Sequence, residues 1–134
     1  MSNSRETLIP DWNGCPCSGA NLEKLLQPAI LTVLAREDLH GYRLVQQLGS
    51  MALFHGQSPD ASGVYRSLKS LEQRGIVKSR WDVSAQGPTK RLYHLTAAGL
   101  KCLDRWTATL RNYQQAMNQL LAEAQKLLPH SPVS

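Results

Sequence analysis

Residues 62–77 read SGVYRSLKSLEQRGIV, a stretch in which helical spacing changes to strand spacing at one glycine. Three apolar residues recur at the interval of a single helix face and are predicted to be buried: Val64, Leu68 and Leu71. Polar residues occupy the opposite face: Ser62, Arg66, Lys69 and Gln73. Ser58 or Asp60 would cap the start of this helix, which runs to about residue 74, and Gly75 would supply its C-cap.

A β-hairpin is predicted immediately after this helix. Residues 76–83 are rich in β-branched and aromatic side chains, residues 84–88 are rich in turn formers, and residues 90–95 (KRLYHL) form the returning strand. Lys90 and Arg91 make the stem of the hairpin basic. Because successive residues of a strand point to opposite faces, these two are not expected to contribute equally to a binding surface.

Two helices are predicted before residue 50. The first has an apolar stripe after Asn21, its expected cap: Leu22, Leu25, Leu26, Ala29, Ile30, Val33 and Leu34. Pro28 lies inside this span, so the helix is expected to start just before it, with residues 21–27 as a separate turn or short helix. A short turn leads to a second helix that opens at His40 and ends at Gly49. Its expected inward residues are Tyr42, Val45 and Leu48.

The last helix is capped by Thr96 and meets no proline before Pro129. Apolar residues along it alternate at intervals of three and four: Leu103, Trp106, Leu110, Tyr113, Met117, Leu120, Ala124 and Leu127. Such a heptad seam is longer than one small domain needs to cover its core. We therefore predict a homodimer formed along this helix, with Trp106 in the dimer seam rather than in a ligand pocket.

The chain of 134 residues has room for one compact domain and one long appended element. The expected division is an irregular arm (1–20), a DNA-binding domain (21–95), a dimerisation helix (96–128) and a tail (129–134). No apolar run approaches the roughly 20 residues of a membrane span. The N-terminus lacks the pattern of a secretory signal, so a soluble, cytoplasmic protein without a membrane partner is expected.

Positive charge is concentrated in one part of the sequence. Residues 58–111 contain ten Lys and Arg against four Asp and Glu, whereas the rest of the chain is nearly neutral or slightly acidic. A field of this kind favours a polyanion, and nucleic acid before a membrane surface. The alternative is a solvated basic surface that serves solubility alone.

Catalytic and cofactor motifs are lacking in the sequence. The four histidines do not cluster with a carboxylate in any catalytic spacing, and no phosphate loop, nucleophile elbow or carboxylate pair is found. We predict neither an enzyme nor a cofactor. The odd number of cysteines argues against a disulfide framework. Cys15 and Cys17 could supply a zinc site shared by two arms, bind haem or sense oxidants, or have no function; Cys102 is expected to be a packing residue.

The order of three helices, a hairpin and a long helix is that of a winged helix-turn-helix with a C-terminal dimerisation helix. The fold class is therefore mainly α with a small β-hairpin. The third helix fits a DNA major groove, and its first turn would let free amides approach a phosphate. The predicted DNA contacts are Ser62, Gly63, Tyr65, Arg66 and Lys69 on the helix, with Lys90 and Arg91 on the hairpin.

Three segments resemble the PadR family of transcription regulators. Residues 39–44 (LHGYRL) resemble its HGYEL element, residues 62–77 are similar to its GTLYPLLKRLEEEGLV helix, and residues 87–99 (GPTKRLYHLTAAG) resemble its GRPRKYYRLTEAG wing. The resemblance spans about residues 25–110, and residues 81–88 are most similar to polyhydroxybutyrate-responsive repressors. Thr89 stands where an arginine is common, and Leu110 where drug-binding members carry a tryptophan.

The resemblance implies a dimer on a pseudo-palindromic operator, released or remodelled by an effector such as a small molecule. The predicted function is thus a dimeric, sequence-specific DNA-binding regulator that acts as a repressor. The competing interpretation is a winged-helix module that uses its basic face to bind an acidic protein partner.

Overall fold

The computed structural model describes residues 23–54, 59–83 and 90–129, and most of this part of the chain is helical. Its helices are α1 (Leu26–Arg36), α2 (Gly41–Gly49), α3 (Ala61–Gln73) and α4 (Ala97–Leu127), and its strands are β1 (Leu39–His40), β2 (Val77–Asp82) and β3 (Lys90–Leu95). Single 3-10 turns at Glu23–Leu25 and Ala52–Phe54 precede α1 and follow α2. The predicted arm, the caps Asn21 and Ser58, the hairpin turn at 84–88 and residues 130–134 lie outside the described residues.

Helix α1 forms the centre of the core. Helices α2, α3 and α4 and strand β3 all pack against it, so its buried face is wider than the predicted stripe and includes Leu31 as well as Ile30 and Val33. Pro28 lies in the first turn, where a missing N–H removes no helical hydrogen bond. The predicted start of the helix just before this proline is confirmed.

Helix α2 is rotated relative to its predicted orientation. Leu44 and Leu48 are fully buried and Val45 packs partly against the core, but Tyr42 is 47% exposed. The expectation that Tyr42 faces inward is wrong, because the buried face follows the series Gly41, Leu44, Leu48. Tyr42 lies about 100° around the helix from Gly41, outside this series.

The sheet has three antiparallel strands in the order β1-β3-β2 within the described residues. The two long strands form the predicted hairpin, in which Trp81 pairs with Arg91 and Val77 with Leu95. The added strand β1 occupies the position that was predicted as a turn, and it pairs Leu39 with Tyr93. Strand β3 is therefore the central strand, and it connects the hairpin directly to the segment that opens α2.

A tight corner joins the end of α3 to the start of α4. Gly75 has a φ of 75°, and two hydrogen bonds close the helix end, from Gly75 N to Glu72 O (3.0 Å) and from Ile76 N to Leu71 O (2.9 Å). The Thr96 hydroxyl lies 2.7 Å from Gly75 O and 3.0 Å from Ile76 O, and it also accepts the N–H of Gly99 at 3.0 Å. The predicted cap Thr96 is confirmed, and Gly75 follows the C-cap residue Arg74 at the end of α3.

Helix α4 has two parts with different environments. Cys102, Leu103 and Trp106 near its start pack partly against the core, whereas every residue from 111 to 129 is exposed. The helix is 31 residues long. Among residues 23–54, 59–83 and 90–129, no helix combines the length and the apolar character needed to cross a membrane.

Candidate nucleic-acid interface

Helix α3 presents one face to the core and a polar face to the outside. Val64, Leu68 and Leu71 are buried, as predicted. Four of the predicted DNA contacts are exposed on the helix: Ser62, Tyr65, Arg66 and Lys69. Because Arg66 and Lys69 are three residues apart, they lie on neighbouring positions of one surface. This face therefore carries two unburied cations on a helix that the core holds rigidly.

The first turn of α3 differs from the expected phosphate site. The Asp60 side chain is the N-cap and accepts the N–H of Gly63 at 3.1 Å. This amide is therefore already bound, and the Asp60 carboxylate adds negative charge where a phosphate was expected. The same interaction confirms Asp60 as the cap. Favourable contacts to a phosphate at this end must come from longer side chains such as Arg66.

Tyr65 connects α3 to α2. A side chain at Gly41 would overlap the Tyr65 ring, so the ring lies directly against the first residue of α2. At the same time Tyr65 remains 43% exposed. Its packing role and its availability at the surface are therefore compatible, and a larger residue at position 41 would require the Tyr65 ring to move.

Lys90 lies on one face of the hairpin, close to the start of α2. Its Nζ is 4.9 Å from the centroid of the Tyr42 ring, a cation–π distance. The Tyr42 ring is also stacked on His40, with centroids 6.1 Å apart and an interplanar angle of 5°. Tyr42, predicted to face the core, is thus exposed and contacts Lys90 at the junction of the hairpin and the helix-turn-helix.

Arg91 points to the other face, where several protein groups hold it. Its guanidinium lies 4.8 Å from the Trp81 ring centroid, its Nε donates to Ser79 Oγ at 3.1 Å, and its Nη2 is 3.7 Å from Glu72 Oε2. The Ser79 hydroxyl also donates to Glu72 at 2.6 Å. Arg91 therefore links β2 and β3 to α3 while its side chain remains exposed.

Tyr93 lies next to this network at the base of the hairpin. Burial raises the pKa of Tyr93 above its ordinary value, while the nearby Arg91 guanidinium acts in the opposite direction. A raised phenol pKa means that Tyr93 is neutral at physiological pH. Tyr93 is therefore a buried, neutral residue beside the charged side chains of Arg91 and Glu72.

Three exposed residues of the hairpin and α2 were not predicted as contacts. Trp81 is 58% exposed beside Arg91, Arg80 is exposed on the opposite face of β2, and Tyr42 lies beside Lys90. Strand alternation pairs Trp81 with Arg91 once the register is known. The exposure of Trp81 beside Arg91 could therefore be predicted from strand alternation in the sequence. The exposure of Tyr42 could be recognised only from the orientation of α2 in the structure.

The predicted dimerisation residues fall into two groups. Leu103 and Trp106 pack partly on the core of their own domain, and Leu110 is half-buried. The remaining residues project from the exposed part of α4: Tyr113, Met117, Leu120 and Leu127. An unpartnered apolar stripe is thus present where the heptad pattern predicted it, beginning after Leu110.

The cysteines give no metal site in the described structure. Cys15 and Cys17 lie outside the described residues, and Cys102 is a half-buried free thiol packed near the core, as expected. Within the ranges that the structure describes, no group of three His, Cys, Asp or Glu side chains could hold a metal ion.

A helical core, a basic exposed helix and a short sheet beside it define a winged-helix DNA-binding protein. The chain belongs to the PadR-like family of transcriptional regulators, whose family model matches residues 30–105. Members of this family are transcription regulators and not enzymes. This chain is therefore a DNA-binding transcription regulator.

Solved structures agree with this assignment. A protein of Thermoplasma acidophilum assigned as a transcriptional regulator is 31% identical, with 75% of this chain and 94% of that chain covered and a TM-score of 0.66. A PadR family transcriptional regulator from Eggerthella lenta is 28% identical over 74% of this chain and 80% of that chain, with a TM-score of 0.61. A PadR family regulator from Clostridium difficile shares the fold at 23% identity over 72% and 98% of the two chains (TM-score 0.62). Among curated proteins, none matches this sequence.

Proposed function

We propose that two copies of the chain form a homodimer that binds a two-fold symmetric operator in the cytoplasm and represses transcription until an effector releases it. The observation that carries this proposal is that the chain exposes two different surfaces, one basic and one apolar. Helix α3 exposes Arg66 and Lys69, while α4 exposes an apolar stripe on a part of the helix that touches no core. The expected units are residues 21–95 for DNA and residues 96–128 for dimerisation.

Contacts to DNA are proposed for both elements of the basic surface. Helix α3 enters the major groove with Ser62 and Tyr65 near base edges and with Arg66 and Lys69 near phosphates or bases. Lys90 extends this surface along the sugar-phosphate backbone. Gly63 has no side chain, so it allows the DNA backbone to approach the helix closely. Its own amide donates to Asp60 and is not needed for the DNA contact. Arg91 supports the hairpin through Glu72, and its exposed side chain is also proposed to contact DNA.

The dimer is proposed from the apolar stripe of α4. Tyr113 and Met117 are 44% and 58% exposed, and Leu120 and Leu127 are 70% and 85% exposed. Exposed apolar residues at heptad spacing are buried most simply by a second copy of the same helix. Two α3 helices in such a dimer would address half-sites about one DNA turn apart, roughly 34–36 Å.

Selection of genomic fragments bound at physiological salt tests the proposal. We expect enrichment of short inverted repeats, steep loss of binding as salt rises, and lower expression of a reporter gene placed behind such a fragment. Failure to enrich any repeat would reject operator binding. Repeats that bind but raise reporter expression would retain the operator and reject repression. Binding of acidic proteins instead of DNA would favour the interaction-module alternative.

A further inference from the structure

An acidic side chain lies within the basic surface that α3 and the hairpin form. Glu72 is the single acidic residue of α3, and it follows Lys69 by three positions, so the two are neighbours on the helix surface. A carboxylate close to the phosphates of bound DNA repels them and weakens binding. The Glu72 side chain is 34% exposed, so packing in the core does not explain its presence. The contacts of its carboxylate indicate another role.

The Glu72 carboxylate is linked to Arg91 through a hydroxyl group. Ser79 on β2 donates to Glu72 Oε2 at 2.6 Å, and its oxygen accepts the Nε–H of Arg91 at 3.1 Å. The Arg91 Nη2 lies 3.7 Å from the same carboxylate oxygen, a distance at which the charges attract each other but form no hydrogen bond. Ser79 therefore provides the hydrogen-bonded link between the last turn of α3 and the guanidinium of Arg91.

The chemistry of the three groups fixes the direction of this link. An ionised carboxylate only accepts hydrogen bonds, so the hydroxyl proton of Ser79 points to Glu72 and the oxygen lone pairs are free to face Arg91. A hydroxyl without such an acceptor rotates freely and can donate elsewhere. Glu72 therefore determines the orientation of the acceptor that holds the Arg91 guanidinium.

The held guanidinium still has donors for a ligand. One face of it lies 4.8 Å from the Trp81 ring centroid, and the Arg91 side chain is 41% exposed. Arginine carries five N–H donors in one plane, of which Ser79 accepts the Nε–H and the Tyr93 hydroxyl forms a further hydrogen bond. The remaining donors are thus presented to the outside in a plane that the protein has already fixed.

We propose that Glu72 and Ser79 are positioning residues, which hold Arg91 toward a phosphate at the border of the major groove that α3 enters. Because Arg91 is tied to the last turn of α3, a helix lying in the groove brings the guanidinium to the phosphates that flank it. Glu72 and Ser79 act through Arg91 and do not contact DNA themselves. This assignment rests on the proposed contacts of α3 and the hairpin with DNA.

A positioning role reverses the effect expected from removing an acid. Glu72→Gln raises the net charge by one, so charge alone predicts tighter binding to DNA. We expect binding at least about threefold weaker instead, because an Arg91 side chain that is no longer held must be ordered during binding. Glu123→Gln makes the same change in charge at an exposed position of α4 and should alter affinity less than about twofold.

Fluorescence anisotropy of the full chain with a mixed-sequence DNA duplex provides the test, since a phosphate contact does not depend on base sequence. Over a range of salt, Arg91→Gln should lower the dependence of log affinity on log salt by about 0.9. Ser79→Ala leaves the charge unchanged and should weaken binding at least about threefold, whereas Ser79→Thr keeps the hydroxyl and should restore it. In an Arg91→Gln background, Ser79→Ala should change affinity less than about twofold.

A measurement without DNA follows the held arginine directly. By NMR, hydrogen exchange of the Arg91 Nε–H should be at least about threefold faster in Ser79→Ala than in the wild type, because its acceptor is lost. Helical circular dichroism establishes that both proteins are folded. Equal exchange rates would overturn the proposal, as would tighter DNA binding by Glu72→Gln or an equal effect of Ser79→Ala with and without Arg91.

Arg66→Gln/Lys69→Gln, measured with the same duplex, separates this proposal from the proposed function. Weaker binding by that variant together with wild-type binding by Ser79→Ala rejects the positioning role and leaves the α3 surface in place. Wild-type binding by both rejects the positioning role and the proposed DNA surface together.

Discussion

His40 Nε2 lies 2.8 Å from Asp82 Oδ2, and this contact crosses the sheet from β1 to the outer end of β2. Strand β3 runs between the two residues, because Leu92 pairs with His40 on one side and with Arg80 on the other. The side chains therefore reach over the central strand. In this way β1, which leads into α2, is tied to the outer end of β2. The cation–π contact of Lys90 with Tyr42 lies close by.

The first prediction follows from this contact. His40→Phe keeps a flat ring against Tyr42 but removes the hydrogen bond to Asp82. We expect a local loss of about 1 kcal/mol, seen as roughly fivefold faster hydrogen exchange at the amides of Trp81 and Asp82. His94→Phe, on the same face of β3, is the control. Unchanged exchange at the outer end of β2 would show that the contact does not hold the hairpin.

The second prediction concerns the cations of α3. Arg66→Gln/Lys69→Gln should weaken DNA binding and lower the dependence of log affinity on log salt by about 0.9 for each phosphate contact removed. Fluorescence anisotropy over a range of salt measures both quantities. Arg111→Gln/Lys126→Gln makes the same change in net charge away from α3. If both variants bind alike, general charge rather than the α3 surface determines affinity.

A third prediction tests the close approach of α2 and α3. Gly41→Ala places a methyl group where the Tyr65 ring lies, and we expect it to lower the free energy of unfolding by about 1–3 kcal/mol. Removing the ring relieves this conflict. In urea unfolding, Gly41→Ala should therefore cost much less in a Tyr65→Ala background than in the wild type. Equal costs in both backgrounds would mean that the ring yields without strain.

The fourth prediction addresses the apolar stripe of α4. Met117→Glu/Leu120→Glu should shift sedimentation from dimer to monomer while the helical circular dichroism of the domain persists, since both residues are exposed. Gln115→Glu/Asn118→Glu adds the same two charges at exposed positions outside the heptad seam. A dimer that survives the first variant, or is lost equally in both, contradicts the proposed seam.

Periodic features were predictable from the sequence because each is encoded within a few residues. The buried face of α3, the glycine after it, the strand from residue 90 to 95 and the Thr96 cap all follow local rules, and the structure confirms them. Strand β1 could not be predicted in this way. It contains two residues, too few to show alternation, and it exists only because β3 has a free edge beside it.

Contacts between side chains that are distant in the sequence also could not be predicted from the sequence. The hydrogen bond from Ser79 to Glu72 and the ion pair of Arg91 with the same carboxylate need the hairpin to lie against α3. The sequence pattern predicted that Tyr42 faces inward together with Val45 and Leu48. The buried series through Gly41 shows instead that a glycine can occupy the inward position when a neighbouring ring fills its space.

The corner at Thr96 ties the start of α4 to the two residues that follow α3. At about 1.5 Å per residue, the 31 residues of α4 extend for roughly 46 Å. A side chain at Gly99 would overlap the carbonyl oxygen of Ile76, so the backbones of the two segments lie in close contact at this corner. In the proposed dimer, a change of about 10° in the crossing of two such arms would swing their ends by about 8 Å. Small rearrangements at the dimer seam would thus change the distance between the two α3 helices on DNA by several ångströms.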